Sequence, residues 1–280
     1  MIPYLGVVLP CYLDRGARDR FYPDMAFVVA NGVELHTQVL GEDNRSPIYM
    51  LHGLLVGNLA AWYFGAGAAL AKTKRVVTYD LRGHGRSERA VGGYDVANMS
   101  DDLEALASTL GDKTLSLVGH SYGGLVALDF ARRRPERVDK LALIDVPLPP
   151  SRIDFFESIV ARDPSVLIAV LPVEVQALLT TGKRKARRFL EGLQFLLLQS
   201  SLVADLCAEG DVSDEELGRV RCPTLLVYGS RSTLLPVAER LKKTLANATM
   251  RVLEGGHYLP SEAPQLLSDT LVEFFTRGVL

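Results

Sequence analysis

The chain is poor in cysteine: Cys11, Cys207 and Cys222 are odd in number, far apart, and lack any CxxC or paired Cys/His spacing. That excludes a disulfide framework and a zinc site of the usual kind. An excess of one charge is also missing. The 31 basic and 33 acidic residues leave a formal net charge of −2, whereas a general nucleic-acid binder collects a basic surplus on one face. No uncharged run reaches the roughly 18 residues that a membrane-spanning helix needs. Residues 1–13 are apolar, but they have no basic start, Pro3 and Pro10 interrupt them, and no small-residue cleavage site precedes Asp14 and Arg15. The expectation is a cytoplasmic protein with an N-terminal arm over 1–24.

What is present is a large apolar fraction, 48% of 280 residues, ample for one α/β domain with a sizeable core. Short β-rich runs at 47–51, 75–80, 114–118, 138–145, 224–228 and 249–253 alternate with helical periodicity at 59–71, 94–110, 122–134, 235–245 and 263–277. Two further runs, 25–30 and 33–40, flank Asn31-Gly32, a two-residue turn signal that predicts a hairpin at a sheet edge. Strand and helix in alternation predict a doubly wound, mostly parallel sheet of about eight strands, covered on both faces. The alternation breaks over 146–220, which carries helical patterns such as 189–206 and no convincing strand. The expected organisation is a core of 25–145 and 221–280 with a helical cap at 146–220, inserted after the sixth strand and lying over the carboxyl ends of the strands. A separate helical domain is the plainer alternative.

Three segments carry chemistry. Gly119-His120-Ser121-Tyr122-Gly123 is a GxSxG between a β-run and a helix, where a tight strand-to-helix turn needs small residues two positions either side of the serine. It presents the Ser121 hydroxyl at a helix N-terminus, as a nucleophile requires. His52-Gly53-Leu54-Leu55 follows the 47–51 strand. An acyl-transfer serine needs two backbone donors for its oxyanion, and the Leu54 and Tyr122 amides occupy the positions for them. Gly255-Gly256-His257-Tyr258 follows the last strand; of five histidines, His257 alone sits on a glycine-rich loop late in the chain, free to act as general base. His36 reads as a packed or surface strand residue, His52 and His84 as structural groups of glycine-rich turns, and His120 as directed away by the turn.

Together these segments resemble the α/β-hydrolase superfamily, over roughly 25–145 and 220–278; Asp80-Leu81-Arg82-Gly83-His84-Gly85-Arg86-Ser87 is also similar to it. The resemblance implies the α/β-hydrolase fold, a nucleophile at Ser121, a base at His257, and an acid between them in the chain. Most of the family carries that acid as G-x-x-D after the strand at 224–228. Here Gly229-Ser230-Arg231-Ser232 puts Ser232 at the aspartate position. Some members, including pancreatic-type lipases and one group of haloalkane dehalogenases, carry the acid one strand earlier, which nominates Asp145. An aspartate at that place also serves many relatives as a loop residue. A cap carboxylate such as Asp205 or Asp211, a Ser/His pair without an acid, and a degenerate fold remain open.

A serine nucleophile excludes the alkyl-ester chemistry that dehalogenases and epoxide hydrolases of the superfamily perform with aspartate. Esters, thioesters, lactones and carbon–carbon bonds beside a carbonyl remain, and nothing implies a cofactor or a metal. The reading is a serine hydrolase for a small-molecule substrate with a largely apolar acyl group. A lyase, cyclase or cofactor-free oxygenase using His257 as base is the alternative, and a non-catalytic ligand-binding member is a third. Trp62, Phe155 and Phe195 are the candidate pocket residues; core packing explains Trp62 equally well. The basic run 183–188 is a solvated helix face in the plain reading and a dock for coenzyme A or a carrier-protein phosphopantetheine in the sharper one. Neither nucleic acid nor a membrane span enters the expected partners, and oligomeric state is left open.

Overall fold

The computed structural model describes residues 25–41, 46–148 and 183–276, with side chains from Phe27 in the first strand and from Arg187 in the helix that opens the last stretch. Eight strands form one sheet: β1 Met25–Ala30, β2 Val33–Leu40, β3 Ile48–Leu51, β4 Val76–Tyr79, β5 Leu115–His120, β6 Val138–Ile144, β7 Thr224–Gly229 and β8 Ala248–Leu253. Their spatial order is β1-β2-β4-β3-β5-β6-β7-β8. β1 with β2 and β2 with β4 pair antiparallel, and every other pair is parallel. Asn31 (φ 49°) and Gly32 (φ 76°) make the expected two-residue hairpin turn at the edge, because both central residues of such a turn need positive φ.

The apolar runs of β3, β4, β5 and β7 are buried along their whole length, as strands covered on both faces must be. Alternate residues feed two layers. Tyr49, Leu51, Leu117, Leu143 and Tyr228 face one side with Leu103, Leu106, Val126, Phe130 and Leu241. These come from α3 Val96–Thr109, α4 Tyr122–Arg133 and α8 Leu235–Thr244. Ile48, Met50, Val118, Ala142 and Val227 face the other, against Trp62, Leu70, Leu267, Leu271 and Phe275. The covering elements there are α1 Ala60–Tyr63, α2 Ala66–Leu70, α9 Leu259–Glu262 and α10 Pro264–Thr276. The helix expected over 59–71 is thus two short ones, broken at Gly65, whose backbone (φ −118°, ψ −114°) leaves the helical region.

Between β6 and β7 the described residues form α5 Lys183–Gln194, a π-helical turn Phe195–Gln199, α6 Leu202–Ala208 and α7 Asp214–Leu217. The helical pattern at 189–206 is interrupted at Ser200, whose hydroxyl donates to the Leu196 carbonyl (2.7 Å) and accepts the Leu202 amide (3.2 Å). A serine that bonds locally in this way competes with helix continuation. Phe195, Leu196, Leu202 and Leu206 join the core layer of α3 and α4. Asp205 and Glu209 accept the Tyr94 and Val96 amides, which anchors the insertion to the start of α3. The 183–188 run is helical, with Arg187 and Arg188 exposed and Arg187 paired to Glu191 at 2.9 Å. Among the described residues no single helix is long and apolar enough to cross a membrane. One bent pair, Arg187–Gln199 with Leu202–Ala208, passes by combined length and composition.

A buried ion pair fixes the turn after β4. Arg82 forks onto Asp102 of α3 (Nε to Oδ2, 2.7 Å) and donates to the Gly92 carbonyl, while Asn31 donates to the same carboxylate at 2.9 Å. Both charged side chains are almost wholly buried. Removing one partner of such a pair strands the other charge. Asp102→Ala is expected to cost about 3–5 kcal/mol of folding free energy, measured by urea unfolding.

Candidate active site

The parallel sheet starts at its middle. β3 lies between β4 and β5, so the chain leaves it towards opposite sides, and the crevice at the carboxyl ends of β3 and β5 is the switch point where such sheets hold ligands. The two motif loops open there. Ser121 sits between β5 and α4 at φ 53°, ψ −123°, a conformation costly for any side chain. The turn closes because Gly119 approaches the next helix: a Cβ there would lie 2.5 Å from the Gly123 carbonyl oxygen and from Gly124 Cα. The β3 loop abuts the elbow, since a Cβ on Gly53 would lie 3.3 Å from Ser121 Cβ.

Three predicted residues meet. His257 Nε2 is 2.9 Å from Ser121 Oγ and its Nδ1 is 2.7 Å from Asp145 Oδ2. Asp145 follows β6 at φ 45° and its side chain has no solvent exposure. An ionised carboxylate only accepts, so His257 Nδ1 carries the proton and Nε2 offers its lone pair to the serine hydroxyl. The Gly229 amide donates to Asp145 Oδ1 at 3.0 Å, and the Ser232 hydroxyl donates to Oδ2 at 2.7 Å. The Tyr122 amide opens α4 and so lacks an intrahelical acceptor. The Leu54 amide has no backbone partner among the described residues.

The other histidines are pegs. His52 Nδ1–H donates to the Gly53 carbonyl and its Nε2 accepts the Leu81 amide. His84 Nδ1–H donates to the Arg82 carbonyl and its Nε2 accepts the Leu55 amide. Each ring is used at both nitrogens in its neutral form, and together they tie the β3 loop to the β4 turn. Burial pushes His52 below the usual imidazole range and His84 down to about 3. His120 Nε2 donates to the His257 carbonyl at 2.8 Å, and burial, with His257 beside it, brings its pKa to about 3. His36 of β2 holds Asp80 at 2.8 Å, and Asp80 also accepts the Leu59 and Arg86 amides.

Other expected residues lie elsewhere. Trp62 is buried in the layer of Ile48, Met50 and Leu70, so it is corrected from pocket wall to core: its α1 turn packs against the sheet face. Phe195 is buried in the core layer that the insertion joins, with the Arg89 guanidinium 5.8 Å from its ring centre. Phe155 lies outside the described residues. The two carboxylates between β6 and β7 that were alternatives for the acid are engaged away from His257: Asp205 with Ser201 and the Tyr94 amide, Asp211 with Arg240 at 2.9 Å.

A family model described as alpha/beta hydrolase fold matches residues 46–264. The chain belongs to the α/β-hydrolase fold family. Among relatives of this α/β hydrolase is the dihydrolipoyllysine-residue acetyltransferase component of the acetoin cleaving system of Pseudomonas putida. It is 29% identical over 249 residues, 85% of this chain and 65% of that protein, so the chain spans just under two thirds of its length. A Variovorax paradoxus protein, RutD, provisionally named a carbamate hydrolase, is 28% identical over 87% of this chain and 96% of its own. The crystal structure of a hydrolase from Pseudomonas aeruginosa PA01 superposes with a TM-score of 0.73 at 25% identity, covering 90% of this chain and 98% of that one.

Sequence reasoning missed two supports of the α/β hydrolase's histidine loop. Glu262 accepts the Gly256 amide (2.7 Å) and the Tyr258 amide (3.1 Å) on either side of His257; its place in the first turn after a glycine-rich loop was the available signal. Ser232 lacks an aspartate's charge but donates its hydroxyl proton to Asp145, a role its residue type alone does not display.

The buried neutral histidines set a pH dependence. A ring held near 3 when folded and near 6.5 when unfolded takes up its proton only on unfolding between those values. Stability is therefore full above pH 6.5 and falls as pH drops towards 3. His84→Gln is expected to flatten that slope, checked by urea midpoints at pH 7 and pH 4.5.

Proposed function

We propose that this α/β hydrolase is a cofactor-independent serine hydrolase acting through an acyl-enzyme on a carboxylic ester, thioester or lactone with a largely apolar acyl group. The observation that carries the reading is the continuous relay from Ser121 Oγ through His257 to the unexposed Asp145 carboxylate. Ser121 Oγ attacks the substrate carbonyl as its proton passes to His257 Nε2. The imidazolium is stabilised by Asp145, and the tetrahedral oxyanion by the Tyr122 and Leu54 amides. His257 returns the proton to the leaving group, the carbon–oxygen or carbon–sulfur bond breaks, and Ser121 holds the acyl group as an ester. Water, deprotonated by the same His257, then releases the acid and restores the serine.

Residues 146–220 act in this reading as a cap over a core of 25–145 and 221–280. The basic start of α5 is the place for an anionic handle such as coenzyme A. Hydrolase relatives support hydrolysis over the lyase, cyclase and oxygenase alternatives, in which the serine would hold substrate without being acylated.

Ser121→Ala is expected to abolish both turnover of a short p-nitrophenyl ester and labelling by a fluorophosphonate; unchanged turnover would rule the mechanism out. Asp145→Asn leaves the serine in place but supports the wrong imidazole tautomer, so its turnover number is expected to fall by about 10⁴-fold. A loss smaller than tenfold means that the acid lies elsewhere.

A further inference from the structure

Ser232 stands where most of the family's members carry their acid, yet its hydroxyl points into the relay. The loop after β7 holds it at three atoms. Its amide donates to the Gly229 carbonyl at 3.0 Å, its Oγ accepts the Leu234 amide at 3.1 Å, and the same Oγ donates to Asp145 Oδ2 at 2.7 Å. With an amide on its lone pair, the one hydroxyl proton is committed to the carboxylate. Oδ2 is also the oxygen that accepts His257 Nδ1–H. Ser232 and His257 therefore share a single acceptor atom in a site where the carboxylate meets no solvent.

We propose that Ser232 is a positioning residue of the relay: it holds Asp145 ionised and aimed, and by sharing Oδ2 it moderates the basicity that the carboxylate confers on His257. A donor to the charged form of an acid stabilises that form, and a carboxylate oxygen already bonded by a hydroxyl draws less strongly on the imidazole proton. Without that donor, the negative charge on Oδ2 falls on His257 alone and holds its proton more tightly. The Gly229 amide donates to the other oxygen, Oδ1, so on Oδ2 the balance is between Ser232 and His257. Burial keeps His120 neutral and pushes the Tyr228 phenol, which donates to the Val146 carbonyl, far up. His52, whose Nε2 accepts the Leu81 amide, is held in its neutral form and pushed down by burial. Tyr258 packs edge-on to the His257 ring. Glu262 is engaged by the loop amides and by Arg231 at 3.4 Å, and Arg231 also faces Glu254 at 3.8 Å.

The proposal rests on the Ser121–His257–Asp145 reading above, and its test separates the two. The rate constant for fluorophosphonate labelling of Ser121 is measured from pH 5 to 9 in the wild-type chain and in Ser232→Ala, Ser232→Cys and Ser232→Thr. The His257 ring is titrated by NMR in parallel. Ser232→Ala is expected to raise the midpoint of the acid limb and of the His257 titration by about half a unit to one unit, and to lower the alkaline plateau several-fold. Ser232→Thr restores both, and Ser232→Cys, a weaker donor, moves the midpoint less in the same direction. A purely structural role lowers the plateau and leaves the midpoint unmoved. Wild-type midpoints in both Ser232→Ala and Ser232→Cys overturn the proposal while labelling of the wild type stands. A wild type that resists the probe overturns the hydrolase reading instead, and the NMR midpoints alone then decide the role of Ser232.

Discussion

The Asp145 carboxylate is the constraint around which the site is arranged. A charge without solvent contact survives only if its oxygens are saturated by donors, and here the donors are Gly229 at the end of β7, Ser232 in the loop after it and His257 in the loop after β8. The carboxylate thereby joins three neighbouring strands at their ends and aims the imidazole at Ser121. Strain is concentrated beside it. Asp145 and Ser121 both take positive φ, conformations that persist where surrounding contacts over-determine them. The Ser121 amide donates to the Ile144 carbonyl, immediately before Asp145, and the Asp145 amide donates to the Val227 carbonyl of β7.

Three further histidines make a second tier. His52 and His84 fasten the β3 and β4 loops to each other through backbone groups, and His120 fastens the His257 loop to the elbow. Burial disfavours the charged form of all three, which suits them to hold backbone atoms as neutral rings. His257, half-buried at the edge, is the ring that meets the Ser121 hydroxyl. The core layers explain why the loops stay in place: the strands that carry them are packed on both faces, by Leu117 and Leu143 on one side and Val118 and Ala142 on the other.

Most of the sheet was legible because period and punctuation are local properties. Continuous apolar runs marked the central strands, Asn31-Gly32 marked the hairpin, and the glycines beside Ser121 marked the elbow. The insertion's position after β6 was equally visible as a break in alternation. Its internal structure was less so. The periodicity of 189–206 does not register that Ser200 bonds back to Leu196, and the pattern at 59–71 does not register the backbone turn at Gly65. Trp62 illustrates the same limit, since an aromatic one turn after a motif reads alike whether it faces a ligand or the sheet. At Ser232 the sequence displayed a missing charge; only the fold brings its hydroxyl to the carboxylate of the preceding strand.

The carboxylate that follows β6 accepts at His257 Nδ1 and so fixes the tautomer of the ring. Nitrogen-15 NMR of the His257 ring in wild-type protein and in Asp145→Asn, at a pH where the ring is neutral, tests it directly. The expected result is a proton on Nδ1 in the wild type and a shift of the neutral ring towards the Nε2–H form in the variant. An unaltered tautomer in Asp145→Asn would contradict it.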